Sequence, residues 1–232
     1  VAGFAQLLFQ VPALAGIGLV PRPRWAPRHE GVRRIMVLMV PALFGVSVSQ
    51  INLLLDTVLA SLLPTGSVSW LYYSDRLTEL PLGVFAIAIA TVILPTLSGH
   101  RARADDPAFA STLSWAIRSV LLIAIPATLA LALLAEALLA TLFQYGVFSG
   151  DDRAMAAASL RAYTLGLGAF MLVKVLAPGF YAREDMRTPV RIGIIAMAVN
   201  MVLNIAFVFP LMWWLNLGHV GLALATSVSA WL

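Results

Sequence analysis

The residues of this sequence best suited to chemistry are a few polar and charged groups set inside otherwise apolar runs. In Ser74-Asp75-Arg76-Leu77-Thr78-Glu79, helical spacing puts Asp75 and Glu79 on one face with Arg76 beside them. Counted from Trp70, Arg76 lies about 9 Å into its run at helical rise. Such a cluster either neutralises itself and snorkels to the membrane edge, or forms an ion-paired cavity site whose guanidinium holds an anion such as phosphate. A second set is Asp56 with Asn52 one turn earlier, Asn200 and Asn204 one turn apart, and Thr226. One carboxylate with amide and hydroxyl oxygens is a donor set for a hard cation. The same asparagines serve equally well as hydrogen-bonding glue between helices. Lys174, Arg161 and Arg118 stand near the ends of apolar runs, where snorkelling accounts for them. His29, His100 and His219 are isolated, and the absence of cysteine excludes disulfides and thiolate metal sites. There is no nucleophile–base constellation and no phosphate-binding glycine loop, so the sequence does not read as an enzyme.

The elements that must position these groups are membrane helices. The chain has 232 residues, of which 61% are hydrophobic and 11% charged. Soluble domains are about 45–50% apolar and about 25% charged. With a mean hydropathy of +0.92, the chain must use lipid as part of its solvent. Seven stretches are apolar enough to span, wholly or in part: 1–20, 35–61, 69–97, 113–135, 154–177, 190–215 and 217–232. They lack the alternation of barrel strands, which leaves helices. The first and last stretches read as incomplete spans, as expected of a piece of a longer transporter-like protein; nothing in 1–20 resembles a signal peptide.

Loop charges set an orientation. The basic loop 21–34 carries Arg22, Arg24, Arg28, Arg33 and Arg34; 98–112 carries Arg101 and Arg103; 180–191 carries Arg183, Arg187 and Arg191. The alternate loops 62–68, 136–153 and 210–218 carry Arg153 alone. The positive-inside rule puts the arginine-rich loops in the cytoplasm. The net charge of +4 therefore follows topology and gives no reason to expect nucleic acid. Trp70, Tyr72, Tyr73, Trp213 and Trp214 fall at the opposite membrane edge, where aromatic belts form. Pro41, Pro81, Pro95 and Pro126 lie inside spans and can kink them.

The stretch from Pro41 to Asp56 (PALFGVSVSQINLLLD) resembles the seventh helix of the MurJ (MviN) family, bacterial flippases for lipid II. So does 66–77 (GSVSWLYYSDRL), followed by Glu79, Pro81-Leu82-Gly83 and Ala90-Thr91-Val92-Ile93-Leu94-Pro95. The likeness continues more loosely through 177–182, Asp185, Thr188-Pro189 and 221–227. It implies an all-α polytopic helix bundle, the second lobe of a two-lobed flippase with fourteen helices around a cationic cavity. Residues 1–20 would end helix six, 21–34 form the cytoplasmic basic loop, and 35–232 form the second-lobe bundle of about six helices. The implied function is alternating-access transfer of lipid II, an undecaprenyl-diphosphate-linked disaccharide peptide, between leaflets of the bacterial cytoplasmic (inner) membrane, by a monomer. Other readings are an exporter of another lipid-linked sugar or a drug, and a non-transporting scaffold of the cell-wall machinery. The resemblance places Ser74, Asp75, Arg76 and Glu79 at the substrate, with Arg76 on the diphosphate. It implies a sodium site at Asp56, Asn200, Asn204, the Leu222 carbonyl and Thr226. Asn204 stands where some members carry a second carboxylate, so a single formal charge remains to bind sodium.

Overall fold

A computed structural model describes residues 2–18 and 29–232. The described residues are helical apart from short connections. The chain divides into two compact units, Val1–Val37 and Leu38–Leu232. The first holds α1 (Ala2–Gly16) and the opening turns of α2 (Glu30–Ser61). Most of the expected basic loop, with Arg22, Arg24 and Arg28, lies outside the described residues.

The second unit continues α2 and adds α3 (Ser67–Pro81), a π-helical turn (Leu82–Ala86), α4 (Ile87–Ala102), α5 (Asp106–Phe143), α6 (Gly150–Tyr181), α7 (Arg187–Leu215) and α8 (Gly218–Ser229). Ser67–Ala102, α5, α6 and α7 are each long and apolar enough to cross a membrane. Their outward leucines are bare: Leu122 is 77% exposed and Leu133 79%. Apolar surface of this kind over several adjacent helices belongs in lipid. The fold is an all-helical, multi-pass membrane bundle.

Polar side chains, rather than the edges of the apolar runs, set where α5, α6 and α7 begin. Asp105 accepts from the Ala108 N–H at the start of α5. Ser149 and Asp152 form a reciprocal capping box on α6. The Asp185 carboxylate accepts from the Arg187 and Thr188 N–H groups and the Thr188 hydroxyl ahead of α7. The helices therefore outrun the apolar stretches: 113–135 lies inside a 38-residue α5. The loops read at 98–112 and 136–153 shrink to connections at 103–105 and 144–149. Backbone hydrogen bonding carries on through the headgroup layer until a side chain satisfies the free N–H groups.

Helix α6 is the hub, packed against α3, α4, α5, α7 and α8. On the side shared with α4 and α5, a core of Ala86, Ile93, Leu97, Val120, Leu167 and Met171 is fully buried or nearly so. Nearer the 144–149 connection, Leu77, Leu139 and Leu160 join α3, α5 and α6. Ala60, Val208 and Leu222 join α2, α7 and α8. Small residues bring backbones close, as packing in lipid requires. A Cβ on Gly166 would lie 2.7 Å from Ser227 Cα, and one on Gly221 would lie 2.9 Å from the Phe207 carbonyl.

The π turn follows Pro81. Its bond runs from the Ile87 N–H back to the Leu82 carbonyl, five residues instead of four. Above it α3 buries Ser74, Thr78 and Pro81; below it Ala86, Ile93 and Leu97 are buried.

Candidate functional site

One groove of about 750 Å³ opens in the second unit between α2, α3, α6 and α8. Its α3 wall carries the charges. Arg76 pairs with Glu79 and lies over the Tyr72 ring, 4.8 Å from its centroid. The Arg76 and Glu79 side chains are 50% and 49% exposed, open to a ligand. Asp75, half-buried, lines the same wall. A guanidinium that keeps free N–H groups beside an ion-pair partner can accept a phosphate in place of, or alongside, the carboxylate.

Ser74 departs from the sequence expectation. It is fully buried, with Oγ 2.7 Å from the Ala156 carbonyl oxygen of α6. One residue before Asp75 is one hundred degrees around the helix, so Ser74 joins α3 to α6 and does not line the groove.

The second polar set converges from three helices at the α2–α8 side. Asn204 donates to Asp56 Oδ1 at 2.7 Å, and Asn52 donates to Asp56 Oδ2 at 3.3 Å. Asn204 also donates to Asn200 Oδ1 at 3.1 Å. Asn200 reaches Thr226 and Ser229, each at 3.4 Å, and Thr226 donates to the Leu222 carbonyl at 3.0 Å. Asn200 and Asn204 are 2% and 1% exposed. The carbonyl oxygens of Asn52 and Asn204 are buried with no donor. The amides cannot be flipped to cure this, because Asp56 needs their N–H groups. A carboxylate flanked by two orphaned carbonyl oxygens is short of positive partners, and this donor set fits a hard cation such as sodium. Among the described residues, no group of three His, Cys, Asp or Glu side chains forms a metal centre of the other kind.

The end of the bundle near the 144–149 connection is pinned. Trp70 Nε1 donates to Asp152 at 2.8 Å, and His219 stacks edge-on to Trp70 at 4.8 Å between centroids. Trp70 is therefore a joint between α3 and α6. Trp213 and Trp214, 79% and 86% exposed, face outward as belt residues do.

Sequence reasoning missed Tyr72, Tyr163 and Lys174 as groove residues. The available signal was spacing. Tyr72 is one turn before Arg76, and Tyr163, Phe170 and Lys174 recur on one face of α6. Arg161 lies on the opposite side of α6 and pairs with Glu136 at 3.0 Å.

A family model described as lipid II flippase MurJ matches residues 1–232. A probable lipid II flippase MurJ of Vibrio cholerae serotype O1 is 56% identical over 99% of this chain and 43% of its own length. The lipid II flippase MurJ of Burkholderia cenocepacia is 43% identical over 99% of this chain and 44% of its own. Among solved structures, a lipid II flippase MurJ in an inward closed conformation superposes with a TM-score of 0.74 at 28% identity, over 92% of this chain and 44% of that one. An outward-facing multidrug resistance MATE family transporter superposes at 0.73 with 17% identity, over 84% of this chain and 42% of that one; it shares the fold. The chain thus spans under half the length of the relatives it matches.

Proposed function

Because the chain belongs to the lipid II flippase MurJ family, we propose that it forms one lobe of a flippase carrying lipid II from the cytoplasmic to the periplasmic leaflet of the bacterial inner membrane. The observation that carries this reading is Arg76, a half-exposed guanidinium on the wall of a groove set among lipid-facing helices. A cation held at that depth is unfavourable unless it has a partner or a ligand. Arg76 engages the diphosphate, with Asp75 and Glu79 keeping it oriented between cargoes. The sugar and peptide cross in the groove while the polyprenyl chain stays in lipid. Rocking of this lobe against its counterpart exposes the groove to each leaflet in turn.

Asp56, Asn204, Asn200, Thr226 and the Leu222 carbonyl would hold a sodium ion, which supplies positive charge beside Asp56. These residues meanwhile hold α2, α7 and α8 together through Asn204 on Asp56 and Asn200 on Thr226.

The test is Arg76→Ala in the full-length protein, expressed in cells depleted of their native flippase. Growth is expected to fail, with wild-type levels of the variant in the membrane and loss of lipid II transfer in reconstituted vesicles. Normal growth on that allele would remove Arg76 from its role. A wild-type protein that binds lipid II without moving it between leaflets would replace the flippase reading with that of a scaffold.

A further inference from the structure

Lys174 has no place in the site described so far, yet it lines the same groove. Snorkelling suits a lysine on a lipid-facing stripe, but Lys174 shares the groove-facing side of α6 with Tyr163 and Phe170. Its position along the membrane follows from two bonds between parallel stretches of α3 and α6. Trp70 meets Asp152, and Ser74 meets the Ala156 carbonyl. Ala156 is thus level with Ser74, and Arg76 is about 3 Å beyond that level. Lys174 lies 18 residues past Ala156, about 27 Å further along at 1.5 Å per residue. About 24 Å of helix rise therefore separates the two cations, with Lys174 toward the 182–186 connection that carries Arg183.

The two cations also differ in state. Arg76 is paired with Glu79 and stacked on Tyr72. Lys174 is exposed and makes no hydrogen bond or ion pair among the described residues. An unpaired ammonium on the wall of a partly apolar groove is poised for an anion, and its three rotatable donors suit a transient contact with a moving phosphate.

We infer that Lys174 is a second anion-holding residue of the groove, which takes the diphosphate at the end nearer the 182–186 connection before Arg76 takes it further in. The inference rests on the reading of the cargo as a diphosphate lipid. It turns the groove from one phosphate site into two, with the cargo handed from a free lysine to a pre-oriented arginine.

The experiment measures affinities of the purified full-length protein for undecaprenyl diphosphate and for uncharged undecaprenol. Lys174→Met is expected to weaken diphosphate binding about tenfold, the loss of one charged hydrogen-bonding contact. Undecaprenol binding should be unchanged in that variant, which also excludes misfolding, and Lys174→Arg should restore the diphosphate affinity. Full diphosphate affinity in Lys174→Met, alongside a loss in Arg76→Ala, overturns the role of Lys174 and leaves the cargo reading standing. A wild-type protein that does not distinguish the two lipids overturns both.

Discussion

Asp56 shows how a single carboxylate can be half satisfied. Two amide N–H groups serve it, and each amide pays with a carbonyl oxygen left without a donor. A cation would satisfy all three residues at once, so its binding should stabilise the fold. The full-length protein is expected to melt at a higher temperature in sodium than in choline, and Asp56→Ala should abolish that difference. A wild-type melting temperature indifferent to sodium removes the ion site. This set was legible in the sequence because polar residues one helical turn apart in apolar runs are rare enough to notice. The placement of Ser74 and Lys174 was not. One-residue offsets decide whether a side chain meets a groove or a neighbouring helix, and only the neighbours reveal which face is which.

Helices α6 and α8 pack at backbone range. The Ser227 hydroxyl donates to the Ala162 carbonyl at 2.8 Å, one turn from the place where Gly166 abuts Ser227. Gly166→Ala pushes a methyl into backbone and is expected to lower stability by about 1–3 kcal/mol. Gly193→Ala meets open space on α7 and should leave stability unchanged, or raise it by up to about 1 kcal/mol through helix propensity. Thermal unfolding of the two variants checks the contrast; equal losses would mean that the close approach contributes nothing. The apolar runs 69–97, 113–135, 154–177 and 190–215 each fall within a stretch long enough to cross a membrane, because hydrocarbon thickness sets that scale. The ends were not readable in this way, because Asp105, Ser149 and Asp185 terminate helices through hydrogen bonds that hydropathy ignores. Nor was the subdivision of 69–97, since a π turn has no composition of its own.

At the scale of the lobe, a series of bonds runs from helix to helix beside the groove. Asp56 ties α2 to α7, Asn200 ties α7 to α8, Ser227 ties α8 to α6, and Trp70 ties α3 to α6. A chain of bonds of this kind favours motion of the linked helices together over their separation. The π turn has a wider consequence here, one of angular phase. In an unbroken α-helix, Ile93 and Leu97 would fall in line with Asp75 and Glu79 and continue the charged stripe as an apolar one. The extra residue turns everything after it by about 100°, which moves that apolar row under Ser74 and Thr78, toward α6. One continuous segment can then be groove wall in its first half and core in its second. A deletion of one residue between Leu82 and Ala86 is therefore expected to be far more damaging than Gly83→Ala, which meets open space. Membrane abundance of the full-length variants would show it, the deletion falling and the substitution holding. At the exposed Gly83, Val84 and Phe85 the count of residues matters more than their identity, so tolerance to change there should appear as free substitution at fixed length.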